Sequence, residues 1–364
     1  MDWKEWYDKK AEDRLKKYKR RAIMNEVIFN IINNLLLIGP LIVLFWLINH
    51  SENTYSDSDI KGNILGFLCY LIVWIGYLAS FIIGLLLFFY SHAFLPWTQN
   101  FDVDPYSVNM VKNVGMSLWI PSLIAMSVLL PPVRRFCARF LRIHPGSKVH
   151  AVALSLSMLV FIQFFVTQSF GLESINEQTV PGDEAGTLSS IWSQDILFGI
   201  LGLVGVGWLS RRSFKESLDR LGLKKITLKQ AAAGISIGLI MLLAPIIAQS
   251  VAETLNWSEN VHANELTDKM LGPLLSSIPG ILTIGLAAAL GEEMIFRGAL
   301  LPRFGFVYTS LLFTLVHANY GFSFNSLVVL LLALVLGWAR IRYNTTVCMI
   351  IHATYNISVS LLGS

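Results

Sequence analysis

Long apolar runs dominate the pattern of residues along the chain. Five are long enough to cross a bilayer, and four others are shorter or more interrupted. The five runs are 28–49, 63–90, 150–171, 231–250 and 272–291, and the four are 194–210, 306–320, 325–339 and 345–362. A spanning helix needs about 20 residues, so the shorter runs are credible only inside a bundle that covers their polar groups. The pattern predicts an all-α polytopic membrane protein.

One apolar stretch does not fit a simple crossing. Residues 116–131 contain Pro121 and end at Pro131-Pro132. The stretch is shorter than the lower limit of about 17 residues for a spanning helix. A single crossing there would also place the arginine-rich segment 134–148 outside. We therefore expect a short re-entrant or interfacial segment. This gives about nine transmembrane helices, with the N-terminus inside and the C-terminus outside, and ten helices as the alternative.

Basic side chains are concentrated in a few segments. They occupy 1–21, 134–148 and 211–229, and Arg297, Arg303, Arg340 and Arg342 mark two later turns. The loops 51–62, 171–195 and 251–271 are acidic and carry only Lys61 and Lys269 as basic residues. An excess of Lys and Arg marks cytosolic loops of membrane proteins. We predict that the basic segments, including the N-terminus, are cytosolic and that the acidic loops are external.

The composition supports a membrane protein and excludes several other classes. Of 364 residues, 54% are hydrophobic and 14% are charged, whereas a soluble domain carries about 25% charged residues. The net charge of +4 is too small to indicate a nucleic-acid binder. The first 21 residues are charged and do not resemble a cleaved signal peptide. We expect an integral protein in contact with the lipid bilayer, in a bacterial cell membrane, that inserts through its own first helix.

Small residues and cysteines have structural interpretations. Gly234 and Gly238 form a GxxxG pattern, which predicts close helix packing. The three cysteines form no CxxC pattern, so a disulfide framework or a cysteine-ligated zinc site is not expected.

The first chemically unusual feature is a pair of adjacent carboxylates. Glu292 and Glu293 follow directly on the uncharged run 270–291. A charged group deep in a bilayer costs about 2.5–3.5 kcal/mol on insertion scales. Arg297 lies four residues after Glu293, on the same helical face, and can offset that cost. Glu292 lies about 100° away around the helix and needs a different partner.

Two later helices offer polar residues at a similar depth. His317 lies in one apolar run, and His352 and Asn356 share a face of the last one. Counted from the expected cytosolic helix ends, Glu292, His317 and His352 lie roughly 14, 17 and 11 Å inside the bilayer. A single histidine in an apolar helix is usually a packing residue. The shared depth instead favours one intramembrane functional site.

Several chemistries are compatible with such a cluster. A carboxylate in an apolar pocket can act as a general base towards water, while His and Asn can orient that water or stabilise an oxyanion. Glu292, His317 and His352 could equally ligate a metal with one position open. Buried Glu and His also serve proton relays in transporters. Neither HExxH nor GxSxG occurs in the chain.

Taken together, the polar residues form three ordered motifs on successive apolar segments. They are Glu292-Glu293-x-x-x-Arg297 (continued by Phe296-Arg297-Gly298), Phe313-x-x-x-His317 and His352-x-x-x-Asn356. This combination resembles the CPBP intramembrane proteases, also called the ABI or CAAX protease-like family, which includes the type II CAAX prenyl endopeptidases. The resemblance covers roughly 150–364 as the protease core. It leaves 1–149 as an N-terminal extension with a basic cytosolic flank and two to three membrane segments.

The resemblance implies an intramembrane endopeptidase that cleaves a peptide or membrane-anchored protein, with a cavity open to the cytosol. The resemblance implies that Glu292 activates a water molecule and that His317 also holds this water. It further implies that His352 and Asn356 stabilise the oxyanion, and that Glu293 and Arg297 support the site. The family is often classed as metalloproteases, although its prenyl-protein members are described as metal-independent glutamate proteases. We expect no obligate metal, with a divalent metal such as zinc as the alternative.

Two functions other than proteolysis are also compatible with the sequence. One is a non-catalytic membrane immunity or scaffold protein that retains the protease fold, as in family members linked to bacteriocin immunity. The other is a proton- or ion-coupled transporter, which predicts inverted repeats. No matching pair of motif-bearing halves is visible in the sequence.

Overall fold

The computed structural model describes residues 3–53, 60–91, 105–254 and 261–363. Helices and short turns account for these residues, and an isolated bridge between Trp208 and Arg212 is the one β-type pairing among them. The prediction of an all-α polytopic membrane protein is confirmed.

The helices are numbered here in chain order. They are α1 Trp3–Asn53, α2 Ile60–Phe89, α3 Pro105–Val128, α4 Pro131–Cys137, α5 Lys148–Leu156, α6 Met158–Phe170, α7 Leu172–Gln178, α8 Glu184–Gly205, α9 Phe214–Leu221, α10 Leu228–Ile240, α11 Leu243–Thr254, α12 Val261–Leu275, α13 Ile278–Glu293, α14 Leu301–Phe304, α15 Phe306–Val316, α16 Phe324–Arg342 and α17 Thr345–Leu362. A π-helical turn, Met294–Leu300, joins α13 to α14, and a 3-10 turn, Ala318–Tyr320, follows α15.

Nine helical segments in the described ranges are long and apolar enough to cross a membrane. They are Arg21–Glu52, Lys61–Phe89, Val108–Val128, Lys148–Phe170, Glu184–Gly205, Leu228–Thr254, Ile278–Phe304, Phe324–Arg342 and Thr345–Leu362. The number equals the nine predicted from the sequence, but one segment differs: Val108–Val128 is in the set, and the predicted 306–320 is not.

The prediction of a re-entrant or interfacial segment at 116–131 is wrong. Residues 116–128 belong to the continuous helix α3, which starts eleven residues earlier at Pro105 and contains Pro121. Two glycines let α2 and α3 touch through their backbones. A Cβ on Gly84 would lie 2.6 Å from the amide nitrogen of Trp119, and one on Gly115 would lie 2.6 Å from that of Phe88. This tight pairing stabilises a helix of membrane length.

The short segment lies instead within 306–320. Helix α15 ends at Val316, and the chain then turns through Ala318–Tyr320 to Gly321, whose φ of 58° favours glycine. Gly321 packs against the Gln168 side chain, near the end of α6. The nine long segments and α15 together make ten apolar segments, which is the alternative count considered above.

Side-chain contacts show which helix ends lie together. In the middle of α1, Asn30 donates to the carbonyl of Gly186 near the start of α8 at 2.9 Å, and near the end of α1 Asn49 donates to that of Val204 near the end of α8 at 3.1 Å. Helices α1 and α8 therefore run parallel. The Arg211 guanidinium then meets the Glu52 carboxylate at 2.8 Å. The prediction that 51–62 and 211–229 lie on opposite sides of the membrane is wrong.

We call the end of the bundle that holds 134–148, 211–229 and Glu52 the basic end, and the opposite one the acidic end. The Ser147 hydroxyl donates to Glu52 at 2.7 Å, which places segment 134–148 at the basic end. The described part of the basic N-terminal segment, residues 3–21, precedes Asn30 on the same helix and lies at the acidic end. The basic N-terminal flank and the basic loops therefore cannot both be cytosolic, as the sequence analysis assumed.

Packing across the bundle fixes the helices that carry the polar motifs. A Cβ on Gly234 would lie 2.9 Å from the Ile350 side chain, and one on Gly238 would lie 2.7 Å from Thr354. Helix α10 therefore packs directly against α17 at Gly234 and Gly238, which confirms the close helix packing predicted from the GxxxG pattern. Helix α17 carries His352 and Asn356.

Candidate active site

The element that carries the two glutamates starts as a regular helix and changes geometry just after them. Helix α13 begins at a Ser277 cap, whose hydroxyl accepts from the Gly280 amide at 3.0 Å. It ends at Glu293, and the next seven residues form the π-helical turn. Single π turns inside helices occur frequently at functional sites.

Glu293 lies at the centre of a buried network. Its side chain is fully buried, and Oε1 accepts hydrogen bonds from Arg297 Nη1 and from His352 Nδ1, both at 2.9 Å. The Arg297 guanidinium lies over the Phe313 ring, 4.0 Å from its centroid, and reaches the Ala333 carbonyl at 3.4 Å. This network joins α13 and its π turn to α15, α16 and α17.

The network sets the proton positions on His352. A carboxylate paired with Arg297 is an acceptor, so Nδ1 of His352 donates its proton to Glu293. The neutral ring then carries its lone pair on Nε2. Glu293 Oε2 is also buried and has no hydrogen-bond partner among the described residues.

His317 lies just beyond α15 and not within a membrane helix as predicted. Its backbone leaves helical geometry (φ −86°, ψ 51°), and its Nδ1 donates to the Phe313 carbonyl at 2.8 Å. A carbonyl oxygen can only accept, so this ring also presents Nε2 as its free nitrogen. The ring stacks on Tyr320 at a centroid distance of 6.1 Å and an angle of 3°.

Glu292 is only half-buried and lies in a different environment from Glu293. Its electrostatic neighbours include Asp195 and Tyr320. Its Oε2 atom has no hydrogen-bond partner among the described residues. The sequence pattern offers the later histidines as partners for Glu292, but His352 binds Glu293 instead.

Asp195 is the polar residue that the sequence analysis did not include. It was assigned to the external loop 171–195, but it lies inside α8 with 2% exposure. A Cβ on Gly291 would lie 2.4 Å from Asp195 Oδ1, so the backbones of α8 and α13 meet beside Glu292. Asp195 Oδ1 has no hydrogen-bond partner in the described structure. The available signal was its position within the apolar run 194–210.

Asn356 contacts the same helix one turn beyond His352. Its Nδ2 donates to the Ile284 carbonyl of α13 at 3.2 Å. One of its two amide protons is therefore used, and the other is free to bind an additional acceptor. His352 and Asn356 both face α13, as their spacing of four residues predicts.

The alternative metal site had Glu292, His317 and His352 as its ligands. Within the described ranges, no three His, Cys, Asp or Glu side chains form a group that could hold a metal ion. The Nδ1 atom of each histidine binds a protein oxygen, which leaves Nε2 as the free nitrogen of both rings.

Comparison with protein families identifies the part of the chain that carries this network. Residues 274–358 match the family described as type II CAAX prenyl endopeptidase Rce1-like. We call residues 274–358 the Rce1-like segment. It contains all six predicted site residues and confirms the resemblance found in the motifs, over a shorter range than 150–364. No curated protein and no solved structure matches the chain significantly. The Rce1-like segment points to a CAAX-type protease with a peptide or protein substrate in a membrane.

Proposed function

We propose that the chain is an intramembrane endopeptidase that hydrolyses a peptide bond in a peptide or membrane-anchored protein. The observation that carries this proposal is the buried network of Arg297, Glu293 and His352 within the Rce1-like segment. A charged network of this kind is costly to bury and is usually retained for a function.

The two glutamates have different tasks in this proposal. Glu293 is fully enclosed and doubly bonded, so it orients His352 and does not meet substrate. Glu292 is half-buried, and its Oε2 atom is buried without a described partner, so this carboxylate is the one that can hold and deprotonate a water molecule enclosed in the bundle. General bases contribute typically 10²- to 10⁴-fold to rate when they are positioned in this way.

The proposed reaction has two steps. Glu292 takes one proton from water while the water oxygen forms a bond to the scissile carbonyl carbon, which places negative charge on the carbonyl oxygen. The carbon–nitrogen bond then breaks, and the proton held by Glu292 passes to the leaving nitrogen. The products are a carboxylic acid and an amine.

Three other residues assist these steps. The free amide proton of Asn356 is a donor for the oxyanion. The Nε2 atom of His317 accepts a hydrogen bond from the attacking water in the neutral ring. For His352 to donate to the oxyanion through Nε2, its ring must be protonated, and Glu293 on the opposite nitrogen stabilises that charge.

Substitutions in native membranes test the proposal. Membranes that express the protein are compared by terminal-peptide proteomics with membranes that express Glu292→Gln or His317→Ala. Glu253→Gln is the matched control because this glutamate is exposed on α11. We expect cleavage products that disappear in both site variants and persist in the control. Cleavage that survives both site substitutions would reject the mechanism.

The same membranes separate the alternatives. A non-catalytic immunity or scaffold protein would keep its cellular phenotype in the Glu292→Gln variant. We propose that no metal is obligatory, so cleavage should persist after dialysis against a chelator. Loss of cleavage on chelation, with recovery on adding zinc, would show that a metal is required.

A further inference from the structure

A cavity lies at the basic end of the bundle, apart from the network around Glu293. Its volume is about 120 Å³, which is room for several water molecules or one tetrahedral oxyanion. Four arginines line it: Arg211, Arg212, Arg220 and Arg303. Apolar side chains, among them Phe45 and Phe304, form the remaining wall.

The positive charge in this cavity exceeds the negative charge around it. Arg211 is paired with Glu52 at 2.8 Å. Arg212 donates to the backbone carbonyl of Val206 and has Glu216 as an acidic neighbour. Arg220 and Arg303 have no carboxylate within ion-pair distance in the described ranges. Arg220 reaches only the Gly298 carbonyl, at 3.4 Å.

The arginines lie close enough to disturb one another. Burial, with the nearby Arg303 and Arg212, lowers the pKa of Arg220 to about 10. Burial and the adjacent Arg211 also lower the pKa of Arg212. Arg212 and Arg220 remain protonated at neutral pH, so the repulsion between the guanidinium groups destabilises the cavity wall. An anion would remove that repulsion.

The loop that presents two of these arginines is a defined structure. The amides of Arg211 and Arg212 donate to the Gly207 carbonyl at 3.0 and 2.9 Å. Gly207 has a φ of 108°, and Leu209 has a φ of 65°, which is uncommon for a residue other than glycine. Backbone strain of this kind persists where surrounding structure holds it and is concentrated at functional sites.

From these observations we propose that the arginine cavity binds a phosphate group, carried by a lipid headgroup or by a free anion. Guanidinium groups bind phosphate through paired hydrogen bonds and are the preferred side chains for this purpose. Basic pockets between the ends of membrane helices accommodate anionic lipid headgroups. The phenylalanine wall of the cavity provides an apolar surface for the adjoining part of a lipid.

The proposed site is separate from the proposed active site. Arg303 lies beyond the π-helical turn that follows Glu293, and none of the six proposed active-site residues lines the cavity. The proposal of phosphate binding therefore does not depend on the proposed proteolysis. It can be measured on a protein whose Glu292 is substituted.

The experiment uses the purified full-length chain in detergent and in nanodiscs. Native mass spectrometry counts bound lipids after incubation with phosphatidylglycerol or phosphatidylcholine, and ³¹P NMR titration measures binding of inorganic phosphate. The variants are Arg303→Gln and Arg212→Gln. The control is Arg135→Gln, an exposed arginine at the same end of the bundle. Arg303 forms no hydrogen bond with the described residues, so its substitution should leave the fold intact.

We expect at least a tenfold loss of phosphatidylglycerol retention in Arg303→Gln and less than a twofold loss in the control. Binding of inorganic phosphate without lipid preference would support the same site with a free anion as its ligand. Equal retention by wild type and Arg303→Gln would overturn the proposal. So would an equal loss in the Arg135→Gln control, because binding would then follow general surface charge.

Discussion

The pairing of Arg297 with Glu293 makes a quantitative prediction about stability. In Arg297→Met the carboxylate of Glu293 stays fully buried and keeps only His352 as a partner. Breaking a buried ion pair by removing one partner costs about 3–5 kcal/mol, because the other charge is left uncompensated. The same substitution also removes the contact between the Arg297 guanidinium and the Phe313 ring, whose centroid lies 4.0 Å away.

The double substitution Glu293→Gln/Arg297→Met separates the cost of leaving the Glu293 charge unpaired from the cost of losing the Phe313 contact. The amide oxygen of the introduced glutamine can still accept from His352 Nδ1, and no unpaired charge is left in the interior. We expect the double variant to lose about 2 kcal/mol, the size of a desolvated cation–π contact. The double variant should therefore be more stable than Arg297→Met alone.

Equilibrium unfolding by SDS in mixed micelles, followed by tryptophan fluorescence, measures these differences. The matched control is Arg342→Met, an exposed arginine at the end of α16, with an expected change below about 0.5 kcal/mol. The reasoning would be refuted if Arg297→Met cost less than about 1 kcal/mol. A double variant that is no more stable than the single one would refute it as well.

Three further predictions follow from the packing. Cysteines introduced at Lys17 and Lys215, both exposed, should react with an impermeant maleimide from opposite sides of the membrane; labelling of both from one side would contradict the parallel packing of α1 and α8. Gly238→Leu should reduce folded protein, seen as a lost monodisperse peak in size-exclusion chromatography, because even a Cβ would lie 2.7 Å from Thr354; wild-type behaviour would mean that α10 and α17 do not touch there. Asp195→Asn should preserve the fold and change the pH dependence of cleavage, because it replaces a carboxyl group beside Glu292 with an amide that does not titrate; an unchanged profile would show that Asp195 does not act on the site.

Much of the site was predictable because it depends on local spacing. The separation of four residues between Glu293 and Arg297 placed both side chains on one helical face, and the structure confirms their contact at 2.9 Å. The same rule placed His352 and Asn356 on one face. Apolar periodicity likewise predicted most of the membrane helices.

The remainder depended on contacts between distant segments. The partner of His352 was decided by the orientation of α17 relative to α13, which spacing does not determine. Asp195 looked like the last acidic residue of a loop because its helix starts at Glu184, eleven residues before it, among polar residues. Charge counting assigned each loop to a side separately and gave no information on which helices are neighbours. The contact between Glu52 and Arg211 decides that question.

The π-helical turn Met294–Leu300 has a consequence for insertions and deletions. It borders the proposed active site through Arg297 and lines the arginine cavity through Ile295 and Ala299. A π turn holds one more residue than an α turn, so deleting a single residue from it would give a regular α turn and leave the helices on either side close to their original phase. The side chains within the turn would change direction, so such a deletion would displace Arg297 and the cavity-lining Ile295 and Ala299 together.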